Sequence, residues 1–140
     1  MITNEMIKKK LTNLYSHISF EAGKEPSYNK LKELFLDEAV VFEYLDSDYT
    51  EYRVKRIEEH IEEMYDIFEK YPVIKGRGFK EQELSNKNII SGPVALIVSE
   101  YKKEYFNGKH EVITVGTNNI TMMLINEDLK IVSIGWYENI

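Results

Sequence analysis

The chain has 140 residues, 43% of them hydrophobic and 30% charged, which is the composition of one ordinary globular domain spanning residues 1–140. Its 24 acidic and 18 basic side chains give a formal net charge of −6, so a nucleic-acid or anionic-membrane partner is excluded unless basic residues are concentrated somewhere. Cysteine is absent, which removes disulfides, thiolate zinc sites and cysteine nucleophiles.

The first predicted helix runs from about Asn4 to Phe20, because Ile7, Leu11, Leu14, Tyr15 and Ile18 recur at helical spacing. Thr3 or Asn4 can cap it, and Lys8-Lys9-Lys10 reads as its solvated face. Gly23 and Pro26 interrupt the pattern. A short helix over Tyr28–Leu36 follows, with Ser27 as its cap, and then a buried strand over Ala39–Phe42. Asp46-Ser47-Asp48 reads as a loop into a long helix. Asp48 and Glu51 resemble a capping box, and Val54, Ile57, Ile61, Met64, Tyr65 and Phe68 form the buried stripe. Pro72 ends that helix.

From Phe79 onward helical spacing gives way to four strands. Turn signals at Ser91-Gly92-Pro93, Asn107-Gly108 and Asn126-Glu127-Asp128 separate Phe79–Ile90, Val94–Phe106, Ile120–Ile125 and Lys130–Tyr137. A two-residue type I′ turn at Asn107-Gly108 pairs Tyr105 with His110 and places Ser99 beside Gly116. The apolar run Val94–Val98 is far short of the ~20 residues that cross a bilayer, and the start MITNEMIKKKL is too charged for a secretory core, so the expected location is the cytoplasm.

Side chains alternate across a strand. One face of Val94–Phe106 carries Ala95, Ile97, Ser99, Tyr101, Lys103 and Tyr105, and the other Val94, Leu96, Val98, Glu100, Lys102 and Glu104. Both faces begin apolar, so both need a cover, and a second copy of the chain is the natural one for the face turned away from the helices. The turn-derived register puts Ser133 and Gly135 on the face of Ile120 and Met122, where small residues leave a hollow. A bulge within Gly116-Thr117-Asn118-Asn119 would move later side chains to the other face.

Three stretches resemble the nuclear transport factor 2-like superfamily, more narrowly its SnoaL-like branch. Phe79-Lys80-Glu81-Gln82-Glu83 is similar to a phenylalanine–glutamate–glutamate strand. Gly92-Pro93-Val94-Ala95 through Ser99-Glu100-Tyr101 is similar to a glycine–x–valine–alanine strand ending in serine–x–tyrosine. Gly116-Thr117-Asn118-Asn119, with Ile131-Val132-Ser133 and Trp136, resembles the last hairpin. Leu129 departs from the pattern, standing where these proteins often carry tryptophan. The resemblance implies an α+β, cone-shaped roll, in which a curved, mainly antiparallel β-sheet wraps around N-terminal helices and a pocket, with the convex face often forming a homodimer. Ketosteroid isomerase, scytalone dehydratase and polyketide cyclases share that fold, as do members without a catalytic role, so the fold leaves function open.

The candidate chemistry follows. Glu81 and Glu83 project to one strand face, and a desolvated glutamate there is a general base near neutral pH. On an exposed face they are merely solvated, and the sequence leaves both faces open. Tyr101 can donate to an enolate-like oxygen, or be a core tyrosine. Tyr15, on the apolar stripe of the first helix, has the same two readings. His17 can act as acid or base, and Asn118 and Ser99 can contact a ligand. His60, Glu63 and Glu59 lack a convincing third metal ligand and read as a charged, solvated helix face. No metal or other cofactor is called for. Two functions compete: a protein with a pocket for a small hydrophobic molecule, with isomerase, dehydratase or cyclase-type acid–base chemistry, and a non-catalytic dimeric module whose working surface bears Val94, Leu96, Val98 and Trp136.

Overall fold

The computed structural model describes residues 1–139. Helix α1 spans Asn4–Ile18, and the Thr3 hydroxyl accepts from the Met6 amide at 3.2 Å to cap it. Helix α2 (Tyr28–Glu33) is shorter than its sequence suggests, because Phe35 already opens the ten-residue strand β1 (Phe35–Tyr44). Strand β2 (Tyr52–Arg56) occupies residues expected to be helical. Helix α3 starts only at Ile57 and runs to Lys70, and Pro72 opens a further short helix, α4 (Pro72–Arg77). Val54 shares helical spacing with Ile57 and Ile61, yet it sits on the edge strand and is 61% exposed. The loop between β1 and β2 is held by Asp46, whose carboxylate accepts from the Thr50 and Glu51 amides at 2.9 Å each. Asp46 therefore closes a hairpin, and the expected helix cap at Asp48 and Glu51 does not form.

Strands β3 (Phe79–Ser91), β4 (Val94–Phe106), β5 (Glu111–Ile125) and β6 (Asp128–Asn139) form the expected meander. With β1 and β2 they make one six-stranded sheet in the order β2-β1-β6-β5-β4-β3, antiparallel except for the β1–β6 pair. The sheet curves around α1 and α3 to give the α+β cone. The helical stripe Ile7, Leu11 and Leu14 meets Ala95, Ile97, Ile120, Met122 and Ile131 from the sheet in one core, where each large side chain removed from water contributes roughly 1.5–3 kcal/mol. Among the described residues no helix is long and apolar enough to cross a membrane.

Three details of register decide what faces inward. The Asn107 loop holds four residues, because Phe106 pairs with Glu111. The Asn107 side chain accepts from the Lys109 and His110 amides at 2.9 and 3.0 Å, which spreads the turn. Ser99 therefore lies beside Asn118, and Tyr101 beside Gly116. The two-residue turn with positive φ at both positions occurs instead at Asn126 (49°) and Glu127 (68°).

No bulge interrupts Gly116–Asn119 against β4. The bulges lie elsewhere. On β3, Glu83 pairs with Tyr101 and Ser85 with Glu100, so Leu84 is the extra residue. On β6, Ile131 pairs with Met122 and Ser133 with Thr121, so Val132 is the extra residue. Each bulge turns one stretch of strand over. Ser133 and Gly135 consequently face outward, contrary to expectation. A side chain at Gly135 would collide with the Phe42 ring, so its smallness accommodates that ring. Trp136 and Glu138 face inward instead.

Candidate functional site

The concave sheet face is graded along its strands. At the closed end, rows such as Ile97–Ile120–Ile134 are apolar and buried. Toward the open end the cross-strand rows become polar: Ser99–Asn118–Trp136, then Glu83–Tyr101–Gly116–Glu138, then Glu81–Lys103–Thr114. Under these rows and against α1, α2 and α3 lies a cavity of about 440 Å³, its wall chiefly apolar and aromatic, with Leu14, Tyr28, Phe68 and Trp136 contributing. A few polar groups converging on such a hollow is the usual form of a small-ligand site.

Glu81 lines this cavity. Burial pushes its carboxyl up to about 7, and the nearby Glu138 carboxylate works in the same direction. The Lys103 ammonium and the nearby Asn118 amide oppose the rise without cancelling it. Lys103 is held by Glu138, with Nζ 2.7 Å from Oε2. Tyr101 donates its hydroxyl proton to Glu138 at 2.9 Å, and burial first, then the Glu138 charge, keeps that phenol protonated.

Tyr101 on β4 reaches Glu138 on β6 by crossing β5 at Gly116. A Cβ there would stand 2.5 Å from the Tyr101 oxygen and 2.8 Å from the Tyr137 carbonyl. Gly116→Ala is therefore expected to lower stability by about 1–3 kcal/mol and to displace Tyr101. Gly76→Ala, in open space on α4, serves as the control in the same denaturant titration. An equal midpoint for both variants would show that the crossing is not constrained.

A second polar chain lies behind the cavity wall. The Asn118 amide donates to the Tyr15 hydroxyl at 3.0 Å, Tyr15 lies 2.7 Å from the Ser99 hydroxyl, and Ser99 donates to Glu83 at 2.5 Å. With both ends fixed, Tyr15 donates to Ser99. Burial raises the Tyr15 phenol to about 12, so it keeps that proton. Ser99 and Asn118 are buried polar residues, and this chain satisfies the Ser99 hydroxyl and one Asn118 amide proton.

Of the sequence-derived candidates, Glu81, Tyr101 and Asn118 stand on the cavity wall. Tyr15, Ser99 and Glu83 form the chain behind it. His17 is outside the wall, its Nδ1 3.0 Å from the Ser27 hydroxyl. Three wall residues were missed. Lys103 shares the inward face of β4 with Tyr101, and that alternation was a usable signal. Glu138 was hidden by the bulge at Val132. His60 lies in the cavity wall rather than on a solvated helix face, its ring 5.3 Å from Trp136. Among the described residues its Nδ1 is buried without a partner, and burial together with the Lys55 charge holds the imidazole down at about 4.

No family model matches the chain, and no curated protein matches it. Solved structures do. The β subunit of benzoate 1,2-dioxygenase from Burkholderia mallei superposes with a TM-score of 0.75 at 11% identity, over 99% of this chain and 92% of its own. A candidate dehydratase of the nuclear transport factor 2-like family from Streptomyces avermitilis gives 0.70 at 14% identity, over 97% and 95%. A nuclear transport factor 2-like protein of unknown function from Shewanella baltica gives 0.63 at 15% identity, over 100% and 99%. The chain has the nuclear transport factor 2-like fold.

Proposed function

We propose that the chain is a SnoaL-like pocket protein that carries out isomerase, dehydratase or cyclase-type chemistry on a small hydrophobic carbonyl compound, with Glu81 as general base. The observation that carries this reading is one carboxyl group, held near 7, at the wall of a chiefly apolar cavity. A base of that strength is half ionised at working pH and removes a proton from a carbon next to a carbonyl most effectively there. The oxygen that becomes negative would accept from the Lys103 ammonium or the Asn118 amide. Tyr101, whose proton is committed to Glu138, acts as a positioning residue for Lys103. The candidate dehydratase among the structural relatives supports the reaction class. The reaction invokes no cofactor, and the proposed setting is the cytoplasm.

The test is exchange of α-protons in heavy water, followed by NMR over a panel of cyclic and unsaturated ketones. Wild type is expected to exchange at least one of them at a rate that falls as the pH drops below about 7, and Glu81→Gln to lose about 100- to 10,000-fold of that rate. Unchanged exchange in the variant would remove Glu81 from the role.

A second reading concerns assembly. On the outer sheet face Ile89, Leu96 and Val98 are 66%, 48% and 49% exposed, and they lie in adjacent rows of β3 and β4. A homodimer joined through this face would cover them. Trp136 takes no part, because it points into the cavity. Val98→Glu is expected to turn a dimer into a monomer in sedimentation velocity. A wild type that is monomeric at high micromolar concentration would dispose of this reading.

A further inference from the structure

We infer that the cavity admits uncharged or cationic apolar molecules and excludes anionic ones. The inference rests on the pocket reading above and names the charge class of its ligand. Among the described residues the wall carries four carboxyl groups, Glu43, Asp46, Glu81 and Glu138, and one ammonium, Lys103. That ammonium is already bound on both sides of one carboxylate, 2.9 Å from Glu138 Oε1 and 2.7 Å from Oε2. Arg53 answers Glu43 at 3.3 Å, but from outside the wall, and it is shared with Glu63 at 3.7 Å.

The imidazole of His60 supplies no positive charge, because burial and the Lys55 ammonium keep it neutral at pH 7. Glu81 itself is faced by Lys103 on β4, Asn118 on β5, Glu138 on β6, Tyr15 on α1 and Tyr28 on α2, so Lys103 is the sole cation in that set. At the wall, Tyr44, Trp136 and Tyr137 add aromatic faces, which attract cations and repel anions. An anion entering this space meets an uncompensated like charge at short range in a medium of effective dielectric ~20, which costs more than tenfold in affinity.

The proposed reaction is compatible with that field. The proton removed from the substrate neutralises Glu81 as the substrate oxygen gains its negative charge, so the total charge in the cavity does not change. A substrate bearing its own carboxylate would add one.

Three naphthalene probes of equal ring size test the inference: 2-naphthylmethanol, 2-naphthylmethylammonium and 2-naphthoate. Trp136 is the only tryptophan in the sequence and lines the cavity, so its indole N–H resonance reports binding. At about pH 8 the neutral and cationic probes are expected to shift that resonance saturably, and the naphthoate to bind at least tenfold more weakly. Lowering the pH to about 6 protonates Glu81 and narrows the gap. Glu138→Gln releases Lys103 and narrows it at every pH, and Glu43→Gln provides a second variant of the same sign should the first fail to fold. Naphthoate binding as tightly as the other two would overturn the charge rule while leaving the pocket in place. No shift from any probe at millimolar concentration would overturn the pocket reading, and the charge rule with it.

Discussion

Glu81→Gln is expected to unfold at a higher temperature than wild type at about pH 8 and at the same temperature near pH 4. In the unfolded chain this carboxyl titrates near 4.5, and in the folded protein near 7. Between those values the folded state keeps a proton that the unfolded state has released. Stability therefore falls as pH rises through this window and is level above it. The amide cannot ionise and escapes the loss. At 1.36 kcal/mol per pKa unit the full shift would be worth about 3 kcal/mol. The carboxyl retains contact with the cavity, so about 2 kcal/mol, or several degrees in Tm, is the expected gain. Thermal unfolding across the pH range checks it, and a difference between the proteins that does not vary with pH would refute the assignment. The variant that gains stability is also the one expected to lose the chemistry, as a strained functional group requires.

Tyr15→Phe is expected to cost about 2–4 kcal/mol in a denaturant titration, with an unchanged slope. The substitution keeps the ring and its packing but removes the central oxygen from the Asn118–Tyr15–Ser99–Glu83 chain. The Asn118 amide loses an acceptor and the Ser99 oxygen loses a donor, both where water is excluded, and each orphaned group costs about 1–3 kcal/mol. The double substitution Tyr15→Phe with Ser99→Ala should cost less than the sum of the two single ones, since both remove the Tyr15–Ser99 bond while only the second removes the Ser99–Glu83 bond. A loss below about 0.5 kcal/mol, or strict additivity, would show that the chain does not act as a unit.

The sequence disclosed what depends on local pattern. Alternation over Val94–Phe106 set the bounds of β4 and the identity of its inward face, and with them Tyr101 and Ser99. Helical spacing found α1, but it also extended α3 backward through Val54, because a strand residue can fall on the helical period by chance. The Asn107 side chain lengthened its loop by two residues, which moved the register without changing the parity of the faces. Parity itself was set by the bulges at Leu84 and Val132, and a one-residue insertion carries no clear mark in composition or spacing. For that reason the face of Glu81 was undecidable, Trp136 was assigned to the wrong side, Glu138 was overlooked, and Gly135 was read as space for a ligand. His60 was read as part of a solvated helix face because its neighbours Trp136 and Lys55 come from β6 and β2, far away along the chain.

The bulge at Leu84 makes the chemistry of this chain a matter of phase. Both ends of β3 are pinned, Phe79 by paired backbone bonds to Phe20 at 2.8 and 3.0 Å and Ser91 by the turn that follows it. Were Leu84 paired in a regular ladder, it would lie opposite Tyr101, Gln82 opposite Lys103 and Lys80 opposite Tyr105, with Glu81 and Glu83 delivered to solvent. The two sides of one strand thus hold two alternative linings, one with a lysine and an amide and one with two carboxyls, and whether a single residue is paired or bulged decides which is turned inward.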